Sequence, residues 1–396
     1  MDQPSWQKEP RWYRRESHHR LCGASRLFLV LLEFFALASI SSLISGCQIS
    51  YIVRSGYEQG KIIAHRRPLE KVLADPEVPQ KVKDKIELAQ KAKNYAVEIL
   101  GLKATDNYDT YVDLERPYVS WIVQAAKTYK LEPYLWWFPI VGSVPYKGYF
   151  KEEAAKEEAA EFDSAKYDTY VRGVTAYSTL GWFRDPLLNT MMAYSDRDLV
   201  ELIIHESVHA TFYFKSAADF NERAATFLGQ VGAEQYFQQL EGEDSEQART
   251  IREERKDMAT FSIFFSEELT KLKTWYEQNQ SNMTKERKEE RLRQLQSDYK
   301  SRVADQILTE GYKKILEGNL NNARLLAMKT YYSDMDVLEK LYKHLGFSFS
   351  KLLQECLKLK NSKNPEKDFK DLLATFESKS ESIEPRPEEA HKTESH

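Results

Sequence analysis

Apolar residues recur at three- and four-residue steps along much of the chain, a pattern that predicts amphipathic helices. The clearest case is Ile86–Leu102 (IELAQKAKNYAVEILGL), which closes a helical stretch running from 57 to 102, and Gly101 predicts its end. Lys151–Phe162 (KEEAAKEEAAEF) consists mainly of strong helix formers and predicts a further helix. From Asp196 onward nearly every segment has helical character.

Three stretches between these helices break the helical period. Tyr108–Val123 predicts a strand or turn followed by a helix. Trp136–Phe150 combines aromatic residues with spaced proline and glycine, which predicts short strands and turns. Val171–Phe183 is rich in β-branched and aromatic residues and predicts a hairpin or an edge strand. We therefore predict a predominantly helical α+β fold with a small mixed sheet.

The C-terminal third predicts a helical hairpin and a tail. Two long, charge-rich helices are expected at 246–278 and 284–316, joined by Gln278–Thr284. Their charged faces predict contact with solvent, with partner binding as the alternative. A C-terminal helix is expected over 346–376. Residues 377–396 are acidic and nearly free of large apolar groups, so a disordered tail is expected there.

The amino terminus has the pattern of an export signal. An apolar run, Leu27–Ser45, follows a basic segment. The arginines of that segment are Arg11, Arg14, Arg15, Arg20 and Arg26. The ending Ile44-Ser45-Gly46-Cys47 resembles the bacterial lipobox, which implies removal of residues 1–46 and lipid on Cys47. An uncleaved membrane anchor is the alternative.

If Cys47 carries lipid, the remaining chain is tethered to a bacterial cell envelope by that lipid, with the membrane as its partner. Gln48, directly after the cysteine, resembles outer-membrane sorting, which implies a location at the outer membrane facing the periplasm.

Composition narrows the classes of function. The 42% hydrophobic and 12% aromatic content is ample for a packed core. The net charge of −4 provides no basic excess, so nucleic acid is not an expected partner. Cys22, Cys47 and Cys356 form no CxxC pair and no disulfide framework. Cys356 is expected to be a small apolar core residue.

The stretch Leu199–Phe214 (LVELIIHESVHATFYF) contains the strongest chemical signal. Ser195 predicts a helix N-cap, and on that helix His205 and His209 share one face, one turn apart. Both imidazoles can therefore hold one cation, while Glu206 can act as a base on a nearby water. The alternative is a helix with two incidental histidines, but burying such groups without partners is costly. The pattern predicts a zinc site.

A catalytic zinc site needs a third protein ligand. Metzincins have glycine and histidine where this chain has Phe212 and Lys215, so that class is excluded. His65 and His344 have no supporting local motif. A carboxylate is therefore expected as the third ligand.

The segment Asp219–Gly229 (DFNERAATFLG) offers Glu222, with Asp219 and Glu234 as alternatives. Within it, Asn-Glu-x-x-Ala-x-x-x-Gly resembles the downstream glutamate motif of the gluzincins. This resemblance implies Glu222 as the third ligand and a zincin-like core. Twelve residues separate the second histidine from Glu222, fewer than in thermolysin, and Thr226 stands where thermolysin has an aspartate that supports a histidine ligand.

Two further features are implied by resemblance to zinc peptidases. Ser178–Phe183 resembles the gluzincin edge strand that pairs with substrate, which implies substrate contacts from Thr179, Leu180, Gly181 and Trp182. An ordinary hairpin strand is the alternative. Tyr331 resembles the residue that stabilises the oxyanion at the attacked carbonyl, with aromatic packing as the alternative.

Seven blocks in consistent order, covering roughly residues 55–345, resemble the "Putative aminopeptidase" family of bacterial lipoproteins. They are Arg66–Pro76, Asp113–Trp121, Trp136–Phe150, Ala176–Leu188, the HExxH helix, the Phe-Asn-Glu triplet at 220–222 and Asn321–Tyr331. The resemblance implies a zinc-dependent peptidase domain at 47–345, with zinc on His205, His209 and Glu222 and with Glu206 as general base on a peptide substrate. A non-catalytic envelope lipoprotein and a cell-wall peptide amidase are the alternatives.

Overall fold

The computed structural model describes residues 46–139, 142–176, 179, 184–215 and 217–381. Over these residues the chain has an α+β fold, mostly helical, with small sheets, as the sequence predicts. Residues 1–45 of the predicted export signal (1–46) and residues 382–396 of the predicted tail lie outside the described residues. Within the described part, no helix combines the length and apolar character needed to cross a membrane.

Three helices open the described chain. They are α1 (Gly46–Ala64), α2 (Leu69–Ala74) and α3 (Gln80–Glu98). Contacts divide the chain into one unit up to Gln59 and a second from Gly60 onward. The predicted periodicity is confirmed in α3, which buries Ile86 and three alanines, and Gly101 adopts a φ of +72° just beyond its end.

Two three-stranded sheets and a two-stranded one follow. The first has the order β1-β2-β8, where β1 is Arg67–Pro68, β2 is Thr110–Val112 and β8 is Leu187–Leu188. The second is antiparallel with the order β6-β3-β7, where β3 is Ser120–Lys127, β6 is Lys147–Tyr149 and β7 is Tyr167–Val174. The third pairs β4 (Trp136–Phe138) with β5 (Gly142–Val144). The predicted helix at 151–162 is confirmed as α4 (Glu152–Ala160).

One element prediction in this region is wrong. The helix expected at the end of Tyr108–Val123 is instead the start of β3, the central strand of its sheet. Val123 has no exposed surface, and β3 pairs with β7 along its whole length. The pairing partner lies more than forty residues away in the sequence, so a local pattern could not reveal it.

The core centres on two helices, α5 (Asp196–Thr211) and α6 (Ala218–Glu241). Leu199, Ile203 and Val208 of α5 are fully buried, and Leu202 is half-buried. Nearly every residue of α6 between Phe220 and Phe237 is buried. The helices α5 and α6 therefore form the rigid frame on which the site is built.

The predicted helical hairpin is confirmed, but its second helix is shorter than predicted. It consists of α7 (Glu246–Gln278) and α8 (Lys285–Arg302), so the second helix ends fourteen residues before the predicted limit of 316. The buried carboxylate of Asp257 accepts hydrogen bonds from the backbone amides of Leu308 and Thr309 at 2.8 and 2.7 Å. These bonds tie the following segment to α7 instead of extending α8. The short helix α9 (Glu310–Lys313) and then α10 (Asn322–Tyr332) follow.

The C-terminal region differs from the single helix expected at 346–376. After α11 (Met335–His344) come two helices, α12 (Phe349–Lys358) and α13 (Pro365–Glu381), separated by a short 3-10 turn. Because α13 continues to Glu381, the first residues of the predicted disordered tail are helical. Cys356 is fully buried, as expected, and burial raises its thiol pKa to about 12.

Candidate functional site

The histidine-bearing helix begins where the sequence predicts. The Ser195 hydroxyl accepts a hydrogen bond from the backbone amide of Asp198 at 3.1 Å, which caps the first turn of α5. The apolar face of α5 is buried in the core. His205, Glu206 and His209 lie in the last two turns of this helix, so the core fixes their backbone positions.

A side-chain clamp sets the turn between α5 and α6. Asn221 is fully buried, and its amide oxygen accepts from the Phe214 backbone amide at 2.9 Å. Its amide nitrogen donates to the Phe214 carbonyl at 2.8 Å. The buried polar groups of the turn are satisfied in this way, and the next residue, Glu222, is held against α5.

His205, His209 and Glu222 converge. One candidate ligand atom from each lies within 4.8 Å of the others. The Nε2 atom of His205 is 3.7 Å from one carboxylate oxygen of Glu222, and the Nε2 atom of His209 is 3.5 Å from the other. The two imidazole rings stand at 83° with centroids 4.7 Å apart. The structure thus brings together the three predicted ligands.

The chemistry and spacing of these donors fit zinc. Two imidazole nitrogens and one carboxylate are a donor set that zinc uses in catalytic sites. Tetrahedral coordination at the usual bond lengths places ligand atoms roughly 3.3 Å apart. The separations of 3.5 and 3.7 Å to the two oxygens of Glu222 are longer, and the three ligand atoms lie within 4.8 Å, so the side chains would move inward to bind one ion.

The pKa values of the two histidines are shifted in opposite directions. Burial, and then the neighbouring His209, lower the pKa of His205 to about 3, against the opposing charge of Glu222. Burial also opposes the charged form of His209, but the hydrogen bond and charge of Glu222, together with the charge of Glu206, raise its pKa above the ordinary value. His205 is therefore neutral at pH 7, the form that binds a metal.

The carboxylate of Glu222 is held as an anion. Burial works against this, but a hydrogen bond with His209, the charges of both histidines and a hydrogen bond from Tyr331 lower its pKa. Tyr331, the predicted oxyanion residue, thus lies beside the cluster. Burial and the charge of Glu222 raise the pKa of Tyr331, while Arg172 of β7 opposes them through its charge and a hydrogen bond.

Glu206 is buried on the same helix, and its charge acts on His209. Tyr108 is also near it. Burial, followed by the charges of Glu206 and Asp185, raises the pKa of Tyr108 well above its ordinary value. Glu206 therefore lies where a carboxylate can exchange a proton with a water molecule or a substrate beside the histidines.

The two alternatives to Glu222 lie in other networks. Asp219 accepts a hydrogen bond from the Thr330 hydroxyl at 3.0 Å and pairs with Lys329 at 3.2 Å. Glu234 is bound by two arginines of α7, Arg252 and Arg255. Neither belongs to the group of converging donors.

The predicted substrate-binding segment is only partly described. Both the backbone amide and the hydroxyl of Thr179 donate to Asp185, at 2.9 and 2.8 Å, so this residue lies in a loop tied to Asp185. Leu180, Gly181 and Trp182 lie outside the described residues. Among the strands that the structure describes, β7 is an edge of its sheet, and α10, which carries Tyr331, packs against it.

A family model described as "Putative aminopeptidase" matches residues 50–371, most of the chain. The chain belongs to this family. The match begins near the start of α1 and extends into α13, so the family's sequence pattern covers the whole fold around the three converging side chains. The description of the family points to a peptidase. Comparisons with curated proteins and with solved structures gave no match.

Sequence reasoning missed three residues at the site. Asn221 was noticed as part of a motif, but its role in clamping the turn was not. Arg172 and Tyr108 reach the site from segments far from the HExxH helix in sequence, so no spacing rule indicates them. For Arg172 the sequence offers one indication: it lies in Val171–Phe183, the segment predicted to form a hairpin or an edge strand.

Proposed function

We propose that this protein is a zinc-dependent peptidase, an aminopeptidase by family, with a zincin-like core formed by α5 and α6. His205, His209 and Glu222 would hold the ion. The observation that carries the proposal is the convergence of these three donors within 4.8 Å in a chain of the aminopeptidase family. Three protein ligands leave room for water and substrate, whereas a structural zinc site has four.

Zinc, when bound, acidifies a water molecule and polarises the substrate carbonyl. Glu206 accepts the proton of the attacking water and returns it to the nitrogen of the leaving amine. Glu206 is buried and its charge acts on His209, so its carboxylate lies close to the proposed metal ligands. Glu206 is thus the general base and then the general acid.

Tyr331 and Arg172 are suited to the negative charge that develops on the carbonyl oxygen. The raised pKa of Tyr331 keeps its hydroxyl protonated at neutral pH, and the O–H that donates to Glu222 would turn to the carbonyl oxygen when substrate binds. Arg172 holds that hydroxyl in place and adds a positive charge. Donors aimed at this oxygen lower the barrier of acyl-transfer reactions.

The edge strand β7 is suited to hold the substrate backbone. An extended peptide can add to an exposed sheet edge through main-chain hydrogen bonds. Arg172 of β7 interacts with Tyr331, which hydrogen-bonds Glu222, so a peptide paired with β7 near Arg172 would lie close to the converging donors.

The experiment is Glu206→Gln, with Ser207→Ala as its control. Ser207 is the adjacent residue, and its hydroxyl donates to the Ile203 carbonyl within the helix. We expect Glu206→Gln to retain one zinc per chain by elemental analysis and to lose peptide-library turnover by at least about a hundredfold. Ser207→Ala should retain both. Full turnover by Glu206→Gln would overturn the mechanism.

We also propose that Cys47 is the lipidated N-terminal residue, anchoring the domain to the outer membrane on its periplasmic side. The support is the apolar run that ends in Ile44-Ser45-Gly46-Cys47. Mass spectrometry of the mature chain should find an N-terminal Cys47 with acyl chains, and Cys47→Ser should release the protein from the membrane fraction. An intact residue 1 in the mature chain would contradict this proposal.

A further inference from the structure

A cavity of about 510 Å³ lies between the β3–β5 region, the middle of α7 and helix α10. This volume is within the roughly 300–1,000 Å³ of small-molecule and peptide-binding pockets. We call it the side pocket. Its apolar lining includes Leu131, Pro133, Leu135, Pro145, Leu269 and Leu326.

The side pocket adjoins the metal-binding cluster through two shared elements. Asp219 lines the pocket and lies one turn before Glu222 on α6. Thr330 lines the pocket and directly precedes Tyr331 on α10. The hydrogen bond between Thr330 and Asp219 (3.0 Å) joins these two elements. The side pocket is therefore built on the same two helices, α6 and α10, that carry Glu222 and Tyr331.

The pocket also touches the segment before β6. Pro145 lines it, and the next residue, Tyr146, is close enough to Tyr331 for its charge to affect the Tyr331 pKa. A third element thus connects the side pocket with the cluster. The side pocket therefore lies beside the segments that carry the candidate active site.

The charged groups of the side pocket are largely neutralised. Asp219 pairs with Lys329 at 3.2 Å, and Asp334 pairs with Lys370 at 3.0 Å. A charged substrate side chain would have to break one of these pairs to gain a partner. The leucines and prolines of the lining instead favour an apolar group, which gains about 25 cal/mol for each Å² removed from water.

Two polar atoms of the lining lack a hydrogen-bond partner within the described part of the chain. Ser333 is only 4% exposed, and its Oγ atom is buried without a partner. The Oε1 atom of Gln124 is also buried without a hydrogen-bond partner. Unsatisfied buried polar atoms are rare, and each marks a place where a ligand or water can bind. A carboxamide oxygen accepts only, so the matching ligand group is an N–H, as a peptide backbone provides.

We propose that the side pocket is a specificity subsite, which takes the large apolar side chain of the residue next to the scissile bond and hydrogen-bonds a backbone N–H of the same peptide. The substrate class is therefore peptides with leucine- or phenylalanine-like residues at the cleavage point. This inference rests on the proposed peptidase function.

The test fills the pocket from its rim. Thr270 lines the pocket and is exposed on α7. Thr274 is exposed one turn later on the same helix and is not part of the lining. Thr270→Trp and Thr274→Trp are thus matched substitutions, both at exposed positions, where substitutions usually change stability little. The probes are the pentapeptides Xaa-Ala-Ala-Ala-Ala with a free amino terminus, with leucine, phenylalanine, alanine or aspartate as Xaa.

The wild-type protein should cleave the leucine and phenylalanine peptides with a kcat/KM at least about tenfold above that for alanine, the scale of discrimination in apolar pockets. Thr270→Trp should lower the two large values by at least about tenfold and leave the alanine value within twofold. Thr274→Trp should change none of them. Equal rates on all four peptides, or an unchanged preference in Thr270→Trp, would overturn the inference.

Binding separates a failure of the subsite from a failure of the peptidase function. Calorimetric titration of Glu206→Gln protein with the same pentapeptides measures affinity without turnover. The subsite is supported if the Glu206→Gln protein binds the leucine peptide more tightly than the alanine peptide and if adding Thr270→Trp abolishes this difference. This holds even if the wild-type protein cleaves none of the peptides. Turnover without any leucine preference in either assay would keep the peptidase function and reject the subsite.

Discussion

Gly229 of α6 lies directly against His205 of α5. A methyl group at position 229 would lie 3.3 Å from the His205 Cβ atom and 3.1 Å from the Glu201 carbonyl oxygen. The absence of a side chain therefore lets the two site-bearing helices approach each other. This gives a physical reason for the glycine that ends the Asn-Glu-x-x-Ala-x-x-x-Gly segment.

Substitution of Gly229 should loosen the site. Gly229→Val would push α6 away from His205, and overpacking of this kind typically costs about 1–3 kcal/mol of unfolding free energy. Chemical denaturation should measure that loss, and titration with zinc should show weaker binding. Gly311→Val is the control, because no atom lies within 4 Å of the corresponding position in α9. Equal effects of the two substitutions would mean that the close approach is unimportant.

Removal of the proposed carboxylate ligand, Glu222, should abolish tight zinc binding. Loss of a group that merely supports a ligand costs roughly 10- to 100-fold in affinity, so Glu222→Gln should exceed that. Asp219→Asn, one turn earlier on α6, is the matched control because Asp219 pairs with Lys329 instead. Competition with a chromogenic chelator gives the two affinities. If Glu222→Gln retained zinc and Asp219→Asn lost it, the third ligand would be Asp219 and not Glu222.

The helical hairpin is anchored to the sheet through a buried ion pair. The Lys288 ammonium of α8 lies 2.6 Å from Asp168 of β7, and both side chains are nearly buried. Lys288→Met would leave the carboxylate buried without its ion-pair partner, and breaking a buried pair in this way typically costs about 3–5 kcal/mol. Lys285→Met, at a position that is 77% exposed, should be nearly neutral. Thermal unfolding of both variants checks this, and similar midpoints would contradict it.

Glu158 of α4 should matter at acid pH. Its carboxylate accepts hydrogen bonds from Trp136, Lys147 and Tyr149, and these outweigh burial and lower its pKa below the ordinary 4.5. A lowered folded-state pKa contributes stability that is present above about pH 4.5 and is lost as the pH falls through the folded value.

The matched variants are Glu158→Gln and Glu157→Gln. The first should lower the free energy of unfolding at pH 7 by about 1–3 kcal/mol and flatten its decline below pH 4.5. Glu157 is exposed, so its variant should follow the wild-type curve. Denaturant midpoints measured between pH 3 and pH 7 provide the comparison. A Glu158→Gln curve parallel to that of the wild type would show that the carboxylate does not titrate differently in the folded state.

Local patterns were sufficient where a local cause decides the structure. The Ser195 cap, the buried face of α5 and the one-turn spacing of the histidines depend on neighbours within a few residues. Glu222 could be inferred because its helix follows closely on α5. These features account for the three converging donors.

Distant contacts decided the elements that were wrong or missed. The start of β3 was expected to be helical, and its strand state depends on β7. The end of α8 depends on Asp257, which binds Leu308 and Thr309 from the other arm of the hairpin. Arg172 reaches Tyr331 only because β7 packs against α10. None of these relationships leaves a trace in the spacing of nearby residues.

The clamp made by Asn221 has a consequence for assembly of the site. Its two hydrogen bonds to Phe214 are protein–protein contacts, so the turn that presents Glu222 is built by the chain itself. A metal ion would therefore bind a preformed site. A zinc finger differs, because its folding depends on metal binding. A chelator should then remove zinc reversibly: α5 and α6 should stay folded without the ion and should bind zinc again when it is added back.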